Sequence, residues 1–261
     1  MIKYMAYKFF GLLLISFNLS SNYSGDPGEI FAVKLNQDET SSSHLIIEKD
    51  GDRYAMIALP YDKQGQFIKF NDRVILINKK DFGESRITIK NTSMVDLSPE
   101  DSIRASEESK IINKALKNYS TEIKSYLNFI KPVKGIISSR YGKKRYINES
   151  PRSPHLALDI AAPMGTEVIA PENGKVILIG EFFYSGNYLI LDHGYGLLSS
   201  YSHLSKIDVS VNQFIEQGKK LGEIGATGRV TGPHLHWSVY LNNTKINPES
   251  IIKKNFLESL F

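Results

Sequence analysis

Gly232-Pro233-His234-Leu235-His236-Trp237-Ser238-Val239 alternates imidazole and apolar side chains, and that alternation decides how the last half of the chain folds. On an extended strand, residues two apart share a face. His234 and His236 therefore point one way, while Leu235, Trp237 and Val239 point into a core. Two imidazoles on one face of an otherwise apolar strand indicate a metal or proton-transfer site. Spacing alone does not say which of the two would hold an ion.

Working outward, the region from Pro132 onward holds 13 of the 19 glycines and five of the six histidines. Glycine-rich turns at 171–174, 185–187, 194–196 and 225–228 punctuate apolar runs at 166–170, 175–179, 188–192, 197–203, 219–224 and 234–241. That pattern predicts an antiparallel sheet. Two further segments carry chemistry: Pro154-His155-Leu156-Ala157-Leu158-Asp159 and Tyr201-Ser202-His203-Leu204. Fully extended, His155 and Asp159 would lie roughly 13 Å apart, too far to share an ion whose ligand bonds are near 2 Å. The segment must therefore bend, with Asp159 entering a strand and His155 on the loop before it. His193, at a strand end before Gly194, reads as a structural histidine.

Composition narrows the chemistry. In 261 residues there is no cysteine, which removes thiol catalysis, thiolate metal sites and disulfides. Any metal must be held by imidazole and carboxylate, a donor set that suits zinc in its catalytic style, with one position left open. The net charge of +4 is too small and scattered to indicate nucleic acid. No apolar run approaches the ~20 residues of a membrane span. Lys3 and Lys8, then 11 apolar-rich residues from Phe9 to Leu19, then Ser20-Ser21-Asn22, follow the pattern of a secretory leader. An exported chain lacking cysteine points to a periplasmic or cell-envelope location, with no stable membrane span expected after processing.

The remaining segments predict a mainly β protein with a connecting helix. Short strands are expected at 29–35, 44–48, 54–59, 67–70, 73–77 and 86–90. Ser98-Pro99-Glu100-Asp101 is a helix start, and Ile103, Glu107, Ile111, Ala115 and Tyr119, widened by Ile112 and Leu116, predict about 20 helical residues packing one face. A second short helix is expected over 122–129. The organisation expected is a leader at 1–24, a small all-β module at 25–97, a helical linker at 98–131 and a β domain at 132–252. Since residues 28–130 carry no chemistry of their own, that module is expected to cover the groove or to position it on an unknown regulatory partner.

From Val133 to Pro248 the chain resembles the lysostaphin/LytM-type zinc endopeptidases, which cut peptide bridges in bacterial peptidoglycan. The resemblance rests on Ile137-Ser138-Ser139-Arg140-Tyr141-Gly142 with Arg145, on Arg152 to His155 and Asp159 to Pro163, on Ile190 to Gly194, on Tyr201 to Leu204, on Gly225 to Gly228 and on Thr231 to His236. One departure is Ala157, where the family usually has glycine. The resemblance implies a compact antiparallel sheet below a groove and one zinc ion held by His155, Asp159 and His236. It further implies His203 and His234 as catalytic proton-transfer groups, and Arg140, Asn187 and Tyr201 lining the groove. The substrate implied is the stem peptides of peptidoglycan, with the D-Ala to diamino-acid bridge favoured. The alternatives are a catalytically silent LytM-like wall-binding protein or amidase activator, and a protease of extracellular protein.

Overall fold

The structure, a computed structural model, describes residues 23–261 apart from 40, 42 and 91. The expected leader lies almost wholly outside the described residues; Tyr23 and Ser24, its last two, sit in a strand paired in parallel with Ile75 and Leu76. No helix among the described residues is long and apolar enough to cross a membrane.

The protein is mainly β, as expected. Its main sheet runs in the order Phe214–Ile215, Gly174–Phe182, Gly186–Asp192, Leu197–Ile207, His234–Leu241, Leu158–Ala161, Ile136–Ser139, and the neighbours along this path are antiparallel. The central strands are covered on both faces, which is why their sequences are apolar at nearly every position. One face presents Leu189, Leu191, Leu197, Tyr201, Leu235, Trp237 and Val239 to the main core. The other presents Tyr188, Ile190, Leu198 and Tyr240, and these pack against Leu116, Ile112 and Ala115.

The helix spans Pro99–Ala115, with the Ser98 side chain accepting a hydrogen bond from Asp101 N at 3.0 Å and Pro99 in the first turn. Its inward face meets the sheet from Glu108, which accepts from Phe183 N at 2.6 Å, to Ile112, Ala115 and Leu116. Ile103 and Ile111, half of the expected apolar stripe, are exposed, because the helical turn of about 100° per residue carries them off the face that Glu108, Ile112 and Ala115 present to the sheet. The second helix expected over 122–129 does not form. Ser125 Oγ accepts from Leu127 N, Glu172 accepts from Asn128 N, and Leu127 takes a φ of 55°. These side-chain bonds replace helical ones and seat Leu127 and Phe129 in the main core.

Residues 30–59 form a three-stranded sheet of Ile30–Lys34, Asp52–Ala58 and Ile46–Lys49. One face closes on Phe70, Ile75 and Ile77; the other contributes Ile30, Leu45, Ile47 and Met56 to the main core. The strand expected at 86–90 is instead Glu84–Ile87, paired in parallel with Lys144–Ile147. Lys144–Ile147 forms a hairpin with Ser150–Arg152. The N-terminal and C-terminal halves therefore share both a core and a strand pairing.

Candidate metal centre

The sheet register places the site. Asp159 sits directly across from His236, and His236 in turn faces Ser202 on the next strand. Cross-strand partners have Cβ atoms about 5 Å apart, so the pairing alone brings a carboxylate to an imidazole. His155 precedes the strand on a loop held by Gly142 N to His155 O (2.7 Å) and His155 N to Lys143 O (2.9 Å). That loop is the bend the His155 to Asp159 spacing requires. His155 Nε2 lies 3.0 Å and His236 Nδ1 2.7 Å from the same Asp159 oxygen, Oδ1. The two nitrogens are 3.4 Å apart. One ligand atom from each of the three residues falls within 4.8 Å of the others.

The hydrogen bonds fix where the protons are. His155 Nδ1 donates to Arg140 O at 3.0 Å, His203 Nδ1 to Thr227 O at 2.8 Å and His234 Nδ1 to Gly232 O at 2.9 Å. A neutral imidazole has one N–H, so each of these rings turns a lone pair on Nε2 away from its carbonyl. For His155 that lone pair meets a carboxylate oxygen. Burial alone would raise the Asp159 carboxyl, yet the His236 and His155 rings gathered on it hold it well below the usual carboxylate range. Burial pushes His236 down to about 4 despite Asp159 beside it. One carboxylate oxygen and two imidazole nitrogens within 4.8 Å of one another are a donor set that a divalent cation takes once the rings give up their protons, so these residues fit such an ion.

His203 is placed by a distortion. In a regular strand Tyr201 and His203 would share the core face, and Ser202 the site face. Between Leu189 and Asn187 the register shifts from Tyr201 to Leu204, so one extra residue enters the strand, and His203 adopts a φ of 67°. The bulge turns the His203 ring onto the site face and returns Leu204 to the core, the re-aiming that bulges supply beside functional sites. The ring centroid lies 4.9 Å from that of His234 and 5.9 Å from that of His236. Burial and then these two rings push His203 down to about 3. His234 Nε2 is 4.0 Å from Asp159 Oδ1. The five residues singled out from the sequence thus meet at one place.

The three expected groove residues do not line the cleft. Tyr201 is fully buried in the core with its hydroxyl 2.7 Å from Ser199 Oγ, since it lies one residue out of phase with Ser202. Asn187 is spent behind His203, its side chain donating to Leu204 O at 2.9 Å. Arg140 turns outward to an ion pair with Glu249; only its carbonyl serves the site. The cleft walls come instead from Ile87, Ile89, Arg145 and Arg229. Ile87 and Ile89 belong to the segment laid beside the hairpin. Of these, only Arg145 belongs to a motif of the sequence, the one that begins at Ile137.

Residues 153–248 match Peptidase family M23. The peptidoglycan DD-endopeptidase ShyB of Vibrio cholerae is 42% identical over 94 residues, 36% of this chain and 22% of that protein. ShyA, named likewise and from the same organism, is 38% identical over 112 residues, 42% of this chain and 26% of its own length. The matches thus span about a quarter of these relatives. A crystal structure from Pseudomonas aeruginosa assigned to peptidase M23 superposes with a TM-score of 0.67 at 32% identity, covering 87% of this chain and 94% of that one.

Proposed function

This chain belongs to peptidase family M23, and on that premise we propose that it is an exported zinc-dependent endopeptidase hydrolysing peptide cross-links of peptidoglycan in the cell envelope. The observation that carries the reading is the convergence of His155 Nε2 and His236 Nδ1 on one Asp159 oxygen. These three residues would hold a single zinc ion. When bound, the ion supplies Lewis-acid polarisation of the scissile carbonyl and a nucleophile active near neutral pH.

The chain's own residues supply the rest. His203 and His234, with Nδ1 committed to carbonyls, each offer Nε2 as an acceptor. In this scheme one of them takes the proton released as water oxygen bonds to the carbonyl carbon. That proton passes to the amide nitrogen as the C–N bond breaks, and the other ring would stabilise the developing oxyanion only with a proton on its own Nε2 to donate. Ile87 and Ile89 limit water around the reacting carbonyl. The bond favoured is the D-Ala to diamino-acid cross-link, in keeping with the DD-endopeptidase names of ShyB and ShyA.

The test uses purified sacculi, the zinc-loaded full chain and mass spectrometry of the soluble products. The parent is expected to release muropeptides split at the cross-link. His236→Ala is expected to retain no ion and to release nothing. Cleavage that survives this substitution refutes the assignment. A parent that binds sacculi without cutting them supports the silent wall-binding alternative instead.

A further inference from the structure

The cavity that opens on the candidate metal centre is lined by Asp159, His203, His234 and His236 and also by two arginines, Arg145 and Arg229. Among the described residues Arg229 has no carboxylate partner, and Arg145 has only a long ion pair with Asp159 Oδ2. Arg145 Nη2 comes no nearer than 3.9 Å to Asp159, whose other oxygen is already taken by two imidazoles. Arg145 Nε is buried with no hydrogen-bond acceptor among the described residues, a costly state for a donor on a charged group. Arg229 stacks on Tyr184, its guanidinium carbon 4.2 Å from the ring centroid, and its hydrogen bond is a long one, 3.5 Å to Met94 O.

The surroundings add charge of the same sign. Arg152 lies directly across the hairpin from Arg145, and like charges opposite each other on a sheet destabilise it. Arg145 and Arg152 also depress the Arg229 guanidinium, after burial itself. A fold that keeps such repulsion at the mouth of a cleft stores binding energy for an anion brought from outside. Guanidinium is well matched to a planar carboxylate, which it grips with paired N–H donors.

We propose that Arg145 and Arg229 form a carboxylate subsite that selects cross-links in which the carbon bearing the scissile amide nitrogen also carries a free carboxylate. The proposal rests on the reading of the site as a peptidoglycan endopeptidase and deepens it. A D-Ala cross-link to a diamino diacid such as diaminopimelate has such a carboxylate, one carbon from the scissile nitrogen, whereas one to lysine has none. A glycine bridge has none at that place. Arg145, within 3.9 Å of Asp159, stands where a group so close to the scissile bond would arrive.

The experiment compares two synthetic cross-linked peptides that differ only in the acceptor carboxyl, free in one and carboxamide in the other. With the zinc-loaded full chain, kcat/KM is expected to favour the free acid by about tenfold or more, the worth of one charge-assisted hydrogen bond. In Arg145→Gln and Arg229→Gln the ratio is expected to fall toward one, with ion content and melting temperature held near those of the parent. A parent that does not discriminate, or variants that keep its ratio, overturn the proposal. So does a result in which Arg145→Gln loses the ion while Arg229→Gln keeps the preference, because Arg145 would then serve only to position Asp159. Calorimetry of the uncut acceptor peptides with the metal-free chain separates the two levels. If no peptide is cut, the endopeptidase reading fails; if the free acid also binds no tighter than the amide, the subsite fails as well.

Discussion

Acid should weaken this fold through a histidine that takes no part in the cleft. His193 is fully buried, with Nδ1 donating to Asn173 O at 2.6 Å and Nε2 2.7 Å from Ser199 Oγ. Burial drives it down to about 4, against smaller opposing effects from the Asn173 carbonyl and Asp192. An unfolded chain restores the ordinary value near 6.5. Between those two values the unfolded state binds a proton that the folded state refuses, so stability is complete above about pH 6.5 and falls as pH drops toward 4. A 2.5-unit gap corresponds to about 3.4 kcal/mol in full, of which about 2.5 kcal/mol is lost by pH 4.5. Urea unfolding of the metal-free protein at pH 7.5 and 4.5, for the parent and for His193→Gln, isolates this contribution because every other titrating group is common to both. The parent should lose about 2.5 kcal/mol more than the variant between the two pH values. Equal losses would falsify the assignment of His193 as a buried neutral ring.

Two further outcomes follow from the strands around the site. In Gly225→Ala the new Cβ would sit 2.3 Å from Ser205 N and 2.7 Å from His203 O, so the bulge must shift. A loss of about 1–3 kcal/mol in thermal melts is expected, together with a fall in sacculus cleavage; unchanged activity would show that the bulge does not set the His203 ring. The Asn148 side chain accepts from Ile89 N at 2.9 Å and donates to Ile89 O at 3.2 Å. Asn148→Gly keeps the left-handed turn but releases that segment, and hydrogen exchange at residues 87–90 should quicken by roughly tenfold, matching about 1–2 kcal/mol of local stability. If the segment restricts the cleft, cleavage rises in the same variant.

The outline of the fold was legible because the strand period is short and the turns are marked by glycine. The alternation from His234 to Val239 put both imidazoles on one face, and the bond-length limit on His155 and Asp159 required the loop that is found. Phase within the Tyr201-Ser202-His203 segment was not legible, since a bulge adds a residue without any mark in the side chains. The resemblance puts Tyr201 in the groove, whereas the strand register puts it in the core, one residue out of phase with Ser202. The 144–152 hairpin is not marked in the sequence either. Its turn places Asn148 and Glu149 at φ of 47° and 62°, a conformation usually signalled by Asn-Gly. Without that hairpin, Arg145 and Arg152 could not be seen to face each other. The stripe from Ile103 to Ile111 has helical spacing, but spacing does not say which side of a helix meets a sheet, and the side that does carries Glu108 and Ile112. Nor did the composition of residues 28–95 reveal that Ile30, Leu45, Ile47 and Met56 are buried against the other half.

Three of the imidazoles at the centre owe their orientation to main-chain carbonyls, at Arg140, Thr227 and Gly232. A ring tethered through the nitrogen that faces the main chain has one nitrogen left to use. For His155 that atom turns toward Asp159 and His236, and for His203 and His234 it is the one left for whatever the cleft admits.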